Sequence, residues 1–305
     1  MTVNNVVTPA TLVNTIAAGG IAVSNISYTG AQLANGIFLC TGNCNLGISG
    51  GILLTSGSSL IAAAPNTGTG QGIDVGLGGD TDLTTLTTGT TYDACVLEFD
   101  FIAVSDTAIF NYVFASDEYS DYVGTAFNDV FGFFISGPGI LGKQNIALIP
   151  GTTMPVAINN VNNGFAMGIP TGPCENCAYF YDNVIDTFTT AYDGLTTVLT
   201  ATAANIQPGQ TYHLKLAIAD VGDHVFDSGV FLEAGSFRIA GPPAMFVGGN
   251  RVSGNTVHIC QGSSISLSVP AGFSYLWSTG ETTQTISVNT AGTYNLTLRK
   301  IFKQT

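Results

Sequence analysis

Val96-Leu-Glu-Phe-Asp-Phe101 alternates strictly, with Leu97, Phe99 and Phe101 apolar and Glu98 and Asp100 charged. Successive side chains of a strand point to opposite faces, so a period of two describes a strand with one face in a core and one in water. The pattern repeats outward along the chain. Ala108 to Phe114 puts Phe110, Tyr112 and Phe114 on one face, and His213 to Ala219 turns Leu214, Leu216 and Ile218 inward. Val130 to Ile135 is almost continuously apolar, which reads as a strand covered on both faces. Val230 to Ile239 is a further strand carrying Phe231 and Phe237. The Phe-rich strands 97–101, 110–114 and 130–135 are expected in one sheet system. Helix signals are few. The best is Thr11 to Ala18, between Pro9 and Gly19-Gly20, with Leu12, Val13 and Ile16 on one face. The fold class is all-β: a large antiparallel β-sandwich, jelly-roll-like, followed by a small immunoglobulin-like β-sandwich.

The second unit is expected because composition shifts at Ala240-Gly-Pro-Pro-Ala244, where two prolines follow a strand end. Residues 1–240 read as the large domain, 241–247 as a linker and 248–305 as the small domain. In the last segment Cys260, the chain's one Trp, Trp277, and Tyr294 in a late strand follow an immunoglobulin-like order. The segment is shorter than the roughly 100 residues of such a module.

Composition narrows the partners. The chain has 305 residues, 9% charged, with 20 Asp+Glu against 7 Lys+Arg and a net charge of −13. The first Lys or Arg is Lys143. So few cations cannot neutralise phosphates, which argues against nucleic acid and anionic membranes. No apolar run approaches the ~18 residues of a membrane span, so direct membrane insertion is not expected. Cations are the natural counter-partners.

Two acidic clusters each follow an apolar strand. The first holds Asp117, Glu118, Asp121 and Asp129; the second holds Asp220, Asp223 and Asp227, with Glu233 beyond. Hard oxygen ligands gathered by loops suit Ca²⁺, which takes six to eight. The alternative is turn chemistry, in which Asx side chains simply end strands. With so few cations to pair them, these acids point to Ca²⁺ as cofactor. Asp80 and Asp82 form a weaker third group that reads as a turn. A glycosidase would need two carboxylates across a cleft, for which Glu98, Glu118 and Asp121 are available. Tyr119 and Tyr122 flank the first cluster, and Tyr179-Phe180-Tyr181 precedes Asp182; Tyr119, Tyr122 and Tyr181 are candidates to stack on a sugar. His213 is expected to point outward from its strand, while His224 lies within the second acidic cluster and His258 in the small domain.

Cys40 and Cys44 are close in sequence, as are Cys174 and Cys177; Cys95 and Cys260 stand apart. The spacing alone admits a four-Cys zinc site. The low-Lys, Gly/Thr/Asn-rich composition fits small loop disulfides in an oxidising compartment better. Gly137-Pro-Gly-Ile-Leu-Gly-Lys143 imitates a phosphate-binding loop. Gln144 stands where Ser or Thr is required, and a strand rather than a helix follows. No Gly-x-Ser-x-Gly elbow is present.

Several strings together resemble the choice-of-anchor L domain of bacterial surface proteins. They are Asn45 to Gly57, Tyr92-Asp-Ala-Cys-Val-Leu-Glu-Phe-Asp-Phe101, Phe114-Ala-Ser-Asp-Glu-Tyr119, Phe127-Asn-Asp-Val-Phe-Gly-Phe-Phe-Ile-Ser-Gly-Pro-Gly139, Tyr192-Asp-Gly194, and Tyr212 through Glu233. The resemblance covers roughly residues 2–240. The tail from Tyr275 to Tyr294 resembles the immunoglobulin- or PKD-like modules that follow such domains. It departs from the family at Cys95, where a small apolar residue is expected, and at Cys260, whose usual partner lies in a late strand missing here.

The resemblance implies an exported, surface-attached, Bacteroidetes-type protein, often using type IX secretion, with leader and C-terminal sorting signal outside this chain. Under it, disulfides Cys40–Cys44 and Cys174–Cys177 are expected. It supplies no catalytic motif. The expected role is a non-enzymatic module in adhesion or extracellular assembly, stabilised by Ca²⁺, with a surface glycan, a protein or a second copy as partner. The alternatives are a carbohydrate-binding module or hydrolase with an acidic, Tyr-lined cleft, and a purely structural fibre or spacer subunit.

Overall fold

The computed structural model describes residues 1–42, 44–68, 71–184, 188, 190–240, 246–251, 263–269 and 273–300. The 242–243 proline pair, His258 and Cys260 lie outside the described residues. In chain order the first part runs β1 (Thr2–Asn4), α1 (Pro9–Ile16), β2 (Val23–Thr29), β3 (Asn35–Leu39), β4 (Gly50–Thr55), α2 (Ser59–Ala62), β5 (Thr91–Ile102), β6 (Thr107–Ser116), β7 (Val130–Ser136) and β8 (Gln144–Asn145). It continues with the hairpin β9 (Phe165–Ala166) and β10 (Ile169–Pro170), then β11 (Phe180–Asp182), β12 (Gly194–Thr196), β13 (Leu199–Ala204), β14 (Thr211–Val221), β15 (Ser228–Glu233) and β16 (Arg238–Ala240).

Two antiparallel sheets form an all-β sandwich. The larger has nine strands in the order β1-β3-β4-β15-β6-β12-β11, with β13 and β16 pairing further back along β6. The smaller has five, β2-β5-β14-β7-β8. Leu97, Phe99 and Phe101 of β5, Phe131 and Phe133 of β7, and Leu214 and Leu216 of β14 face Phe110, Tyr112 and Phe114 of β6. Aromatic edges meet between the layers: Tyr112 lies 5.2 Å from Phe131 and Phe99 5.4 Å from Phe237. Such pairs add about 0.5–1.5 kcal/mol beyond the area they bury.

This placement corrects one expectation. Strands 97–101 and 130–135 do share a sheet, on either side of β14, but 110–114 belongs to the opposite one. A period of two marks the buried face of a strand and carries no information on which sheet it joins. The 230–239 strand is also broken. β15 ends at Glu233, Gly235 takes a left-handed φ of +65°, and Phe237 turns into the core before β16. Helix α1 begins two residues earlier than expected, with Thr8 Oγ1 accepting from the Thr11 amide at 3.1 Å.

The sheets are also covered outside. Leu53, Val113, Phe231 and Phe38 gather against Tyr192 and Leu195 on the large sheet. Val130, Phe134, Ala217 and Leu83 do so on the small one. That second cover explains why Val130–Ile135 reads as continuously apolar. Beneath it Lys215 Nζ donates to Asp80 and Asp82, each at 2.6 Å, and Lys143 also reaches Asp82 at 2.6 Å. His213 faces outward between Asp100 (2.7 Å) and Glu98 (3.3 Å), which places Glu98 mid-strand beside a histidine. Gln144–Asn145 pairs with β7 as a short strand, so no helix follows Lys143.

Beyond residue 245, Phe246–Val247, Asn250–Arg251, Ile265–Ser268 and Thr285–Val288 form one antiparallel sheet, and Phe273–Trp277 pairs with Leu296–Lys300. Val247, Leu267, Ile286 and Val288 pack around Trp277, whose indole N–H donates to the Thr283 carbonyl at 2.8 Å.

Cys40 is bonded to Cys44 and Cys174 to Cys177, as two separate local disulfides and not one four-Cys site. Cys95 is buried and free, its thiol pushed up to about 12 by burial. Each disulfide closes a loop of only a few residues, so little chain entropy is removed from the unfolded state. Replacing either pair with serine is expected to cost less than the ~3 kcal/mol of a 15-residue loop, read from urea melting of the oxidised protein.

Candidate metal centre

Strand register builds a carboxylate-lined end of the sandwich. Ser116, the last residue of β6, pairs with Ser228 of β15 on one edge and Gly194 of β12 on the other. Asp117 follows Ser116, while Asp227 and Asp193 precede those partners, so the three acids stand in a row across adjacent strands. In the second sheet Ala219 pairs with Val130, which sets Asp220 opposite Asp129. Asp129 ties the two sheet ends together: its Oδ2 accepts from Ser228 Oγ of the larger sheet at 2.8 Å, while its Oδ1 accepts from the Val221 amide of its own sheet at 2.8 Å. The two acidic clusters therefore meet.

Seven carboxyls here are buried: Asp93, Asp117, Glu118, Asp129, Asp193, Asp220 and Asp227, none more than 3% exposed. Six of their oxygens have no hydrogen-bond partner: Asp117 Oδ1, Glu118 Oε2, Asp193 Oδ2, Asp227 Oδ1 and both of Asp220. Among the described residues, the Lys ion pairs run only from Lys143 and Lys215 to Asp80 and Asp82. An ionised carboxylate buried without a partner costs several kcal/mol. Burial, then the charges of Asp193 and Asp227, holds Asp117 up to about 8. Burial lifts Asp227 to about 7 and Asp193 to about 6. Glu118 is raised by burial and then by Asp129, Asp223 and Asp117; Asp220 by burial, then Asp129 and Asp227. A group of acids in this state needs protons or cations.

Asp121 and Asp223 are half-buried at the mouth of the centre. Tyr122, also half-buried, packs there with its ring 5.3 Å from Phe127 and 5.1 Å from Phe226. Tyr119 does not serve as a ligand-stacking ring. It is fully buried against Phe180, and its hydroxyl donates to the Val161 carbonyl at 2.7 Å. The physical reason is that the turn after β6 folds back over the sheet end and packs the Tyr119 ring against Phe114 and Phe180. Tyr181 is 47% exposed, beside Phe188. His224 Nδ1 lies 2.7 Å from Asp93 and 3.5 Å from Asp74.

Asp93 and Asp193 escaped the sequence reading because each is an isolated acid at a strand start. The signal was present in Tyr92-Asp93 and Tyr192-Asp193, an acid after tyrosine at a sheet end. Residues 66–68 and 71–80 reach the centre, as a strap, through Asp93, Asp193 and Asp227. Asn66 Nδ2 donates to Asp193 at 2.6 Å, the Ile73 amide to Asp227 at 3.0 Å, and the Leu77 amide to Asp93 at 2.5 Å. A side chain at Gly57 or Gly72 would collide with Asp227 or the Val225 carbonyl, so glycine leaves the room that the carboxylate and strap occupy. Asn66→Ala is expected to cost about 1.5–3 kcal/mol, as the loss of a hydrogen bond to a charged group, and to speed proteolysis of the strap.

The model of the choice-of-anchor L domain family matches residues 2–238. No curated protein and no solved structure matches the chain.

Proposed function

The chain belongs to the choice-of-anchor L family, and from that premise we propose that it is a non-catalytic module of adhesion or extracellular assembly whose carboxylate end is organised by Ca²⁺. Membership marks it as a module of a cell-surface protein. No helix among the described residues is long and apolar enough to cross a membrane.

The observation that carries the calcium reading is the set of six buried carboxylate oxygens without partners. An all-oxygen donor set suits a hard cation. The carboxyls are sealed from solvent, which suits an ion better than a substrate and favours binding over hydrolysis. Export through a Bacteroidetes-type route such as type IX secretion, and an immunoglobulin- or PKD-like character for residues 248–305, belong to the same proposal. The two disulfides accord with an oxidising compartment.

The partner is a surface glycan, a protein or a second copy. Tyr122 and Phe226 at the mouth favour a glycan, since half-exposed rings beside acids can stack on a sugar face and bond its hydroxyls. A glycan array probed with and without Ca²⁺ tests this. Calcium-dependent binding lost in Tyr122→Ala supports the glycan. A blank array with concentration-dependent self-association in sedimentation assigns the module to assembly.

A further inference from the structure

We propose that Asp74, Asp93 and His224 form a binding site for one divalent cation of the zinc class, which pins the strap to the sandwich. The site does not rest on the calcium reading. Its donors include an imidazole nitrogen, and it uses none of the unpartnered oxygens.

The three side chains come from three separate segments: Asp74 from the strap, Asp93 from β5, and His224 from the connection between β14 and β15. One ligand atom of each lies within 4.8 Å of the other two, and no other group of His, Cys, Asp and Glu among the described residues converges in this way. His224 Nδ1 is 2.7 Å from Asp93 Oδ2 and 3.5 Å from Asp74 Oδ1. Ligands placed tetrahedrally about 2.0–2.2 Å from zinc stand roughly 3.3–3.6 Å apart. The wider separation already fits. The narrower one is a hydrogen bond, which opens when a cation replaces its proton.

Hydrogen bonding alone does not satisfy the trio. A single Nδ1–H serves one carboxylate well, and the other then faces it uncompensated. Among the described residues, the Lys ion pairs run instead to Asp80 and Asp82. The ligands are also held in place. Asp93 is fully buried and its Oδ1 accepts from the Leu77 amide at 2.5 Å, Asp74 Oδ1 accepts from the Gly76 amide at 2.7 Å, and the imidazole packs 4.4 Å from the Tyr92 ring. Outer-shell contacts of this kind orient metal ligands. The Asp74 side chain is 64% exposed, which gives an ion its entry path and leaves the fourth position to water. One nitrogen with two carboxylates suits zinc, whereas Ca²⁺ takes six to eight oxygens.

Equilibrium dialysis of the metal-free chain against Zn²⁺ alone, read by elemental analysis, tests the proposal. One zinc per chain is expected, undisturbed by equimolar Ca²⁺. Removing an outer-shell partner weakens a metal site by about 10–100-fold, so the loss of a ligand in His224→Gln should weaken zinc by on the order of a hundredfold or more, and Asp74→Asn by at least about tenfold. Both side chains are partly exposed, so far-UV circular dichroism should be unchanged. No zinc on the unaltered protein overturns the site and leaves the calcium reading standing. Zinc retained at full affinity in His224→Gln overturns the assignment to these residues. Displacement of zinc by equimolar Ca²⁺ overturns the choice of cation.

Discussion

If Ca²⁺ organises the carboxylate end as proposed, chelation is expected to lower the melting temperature by about 5–10 °C, and millimolar Ca²⁺ is expected to restore it where Mg²⁺ does not. The size follows from linkage: a ligand a hundredfold above its Kd that binds only the folded state adds about 2.7 kcal/mol. One kcal/mol moves the melting temperature by about 2–4 °C in a domain of 150–250 residues. The selectivity follows from the donor set. Mg²⁺ demands a small, regular octahedron and holds its waters, whereas carboxylates spread over two sheet ends suit the larger, irregular Ca²⁺ shell. Asp117→Asn should abolish most of the response, since Asp117 stands in the middle of the β6 row. Asp223→Ala, at the half-exposed mouth, should weaken affinity and leave the response in place. Scanning calorimetry of protein shown by elemental analysis to be metal-free decides it. An unchanged melt in EDTA and in Ca²⁺ would reduce the acids to turn chemistry.

Much of this architecture was legible in the chain because the physics that sets it is local. Alternation in 96–101 and 213–219 identified two strands that prove to be neighbours, and the unbroken apolar run at 130–135 identified one covered on both faces. The allocation of strands to sheets was not legible. Whether 110–114 lies beside 97–101 or across the core from it depends on how residues 103–106 turn, and neither strand's pattern records that. The candidate site divides the same way. The clustered acids of 117–129 and 220–227 were visible as runs. That they converge is a consequence of register, Ser116 against Ser228 and Ala219 against Val130, which only the folded chain displays. Asp93 and Asp193 join them from separate strand starts, and a lone acid in a sequence carries no mark of the company it keeps. Tyr119 shows the opposite error: an aromatic residue between acids looks exposed, but here the turn after β6 folds its ring into the core beside Phe114 and Phe180.

Metal-free protein is expected to lose stability as pH rises from 5 to 8, the reverse of ordinary acid denaturation. In the folded chain burial holds Asp117 up to about 8, Asp227 to about 7 and Asp193 to about 6. Unfolded, each returns to about 3.9. Between these values the folded state keeps protons that the unfolded state has released. Their contribution is therefore complete below pH ~4 and disappears as pH climbs through the folded values. Each retained proton is worth about 1.4 kcal/mol per pH unit, so Asp117 alone accounts for on the order of 2–3 kcal/mol between pH 5 and 7. Asp82 and Asp100 shift the other way, held down by Lys143 and Lys215 and by Asn25 and His213 respectively. Their contribution is lost only below the ordinary carboxylate range and does not enter this window. Calcium inverts the trend. It displaces the retained protons, so its binding tightens with pH, and the gap between calcium-loaded and metal-free melting temperatures widens from pH 5 to pH 8. Differential scanning calorimetry at pH 5, 6.5 and 8, in EDTA and in millimolar Ca²⁺, reads both slopes. A metal-free melting temperature that stays flat or rises over this range would mean that the carboxyls at this end are not held protonated by the fold.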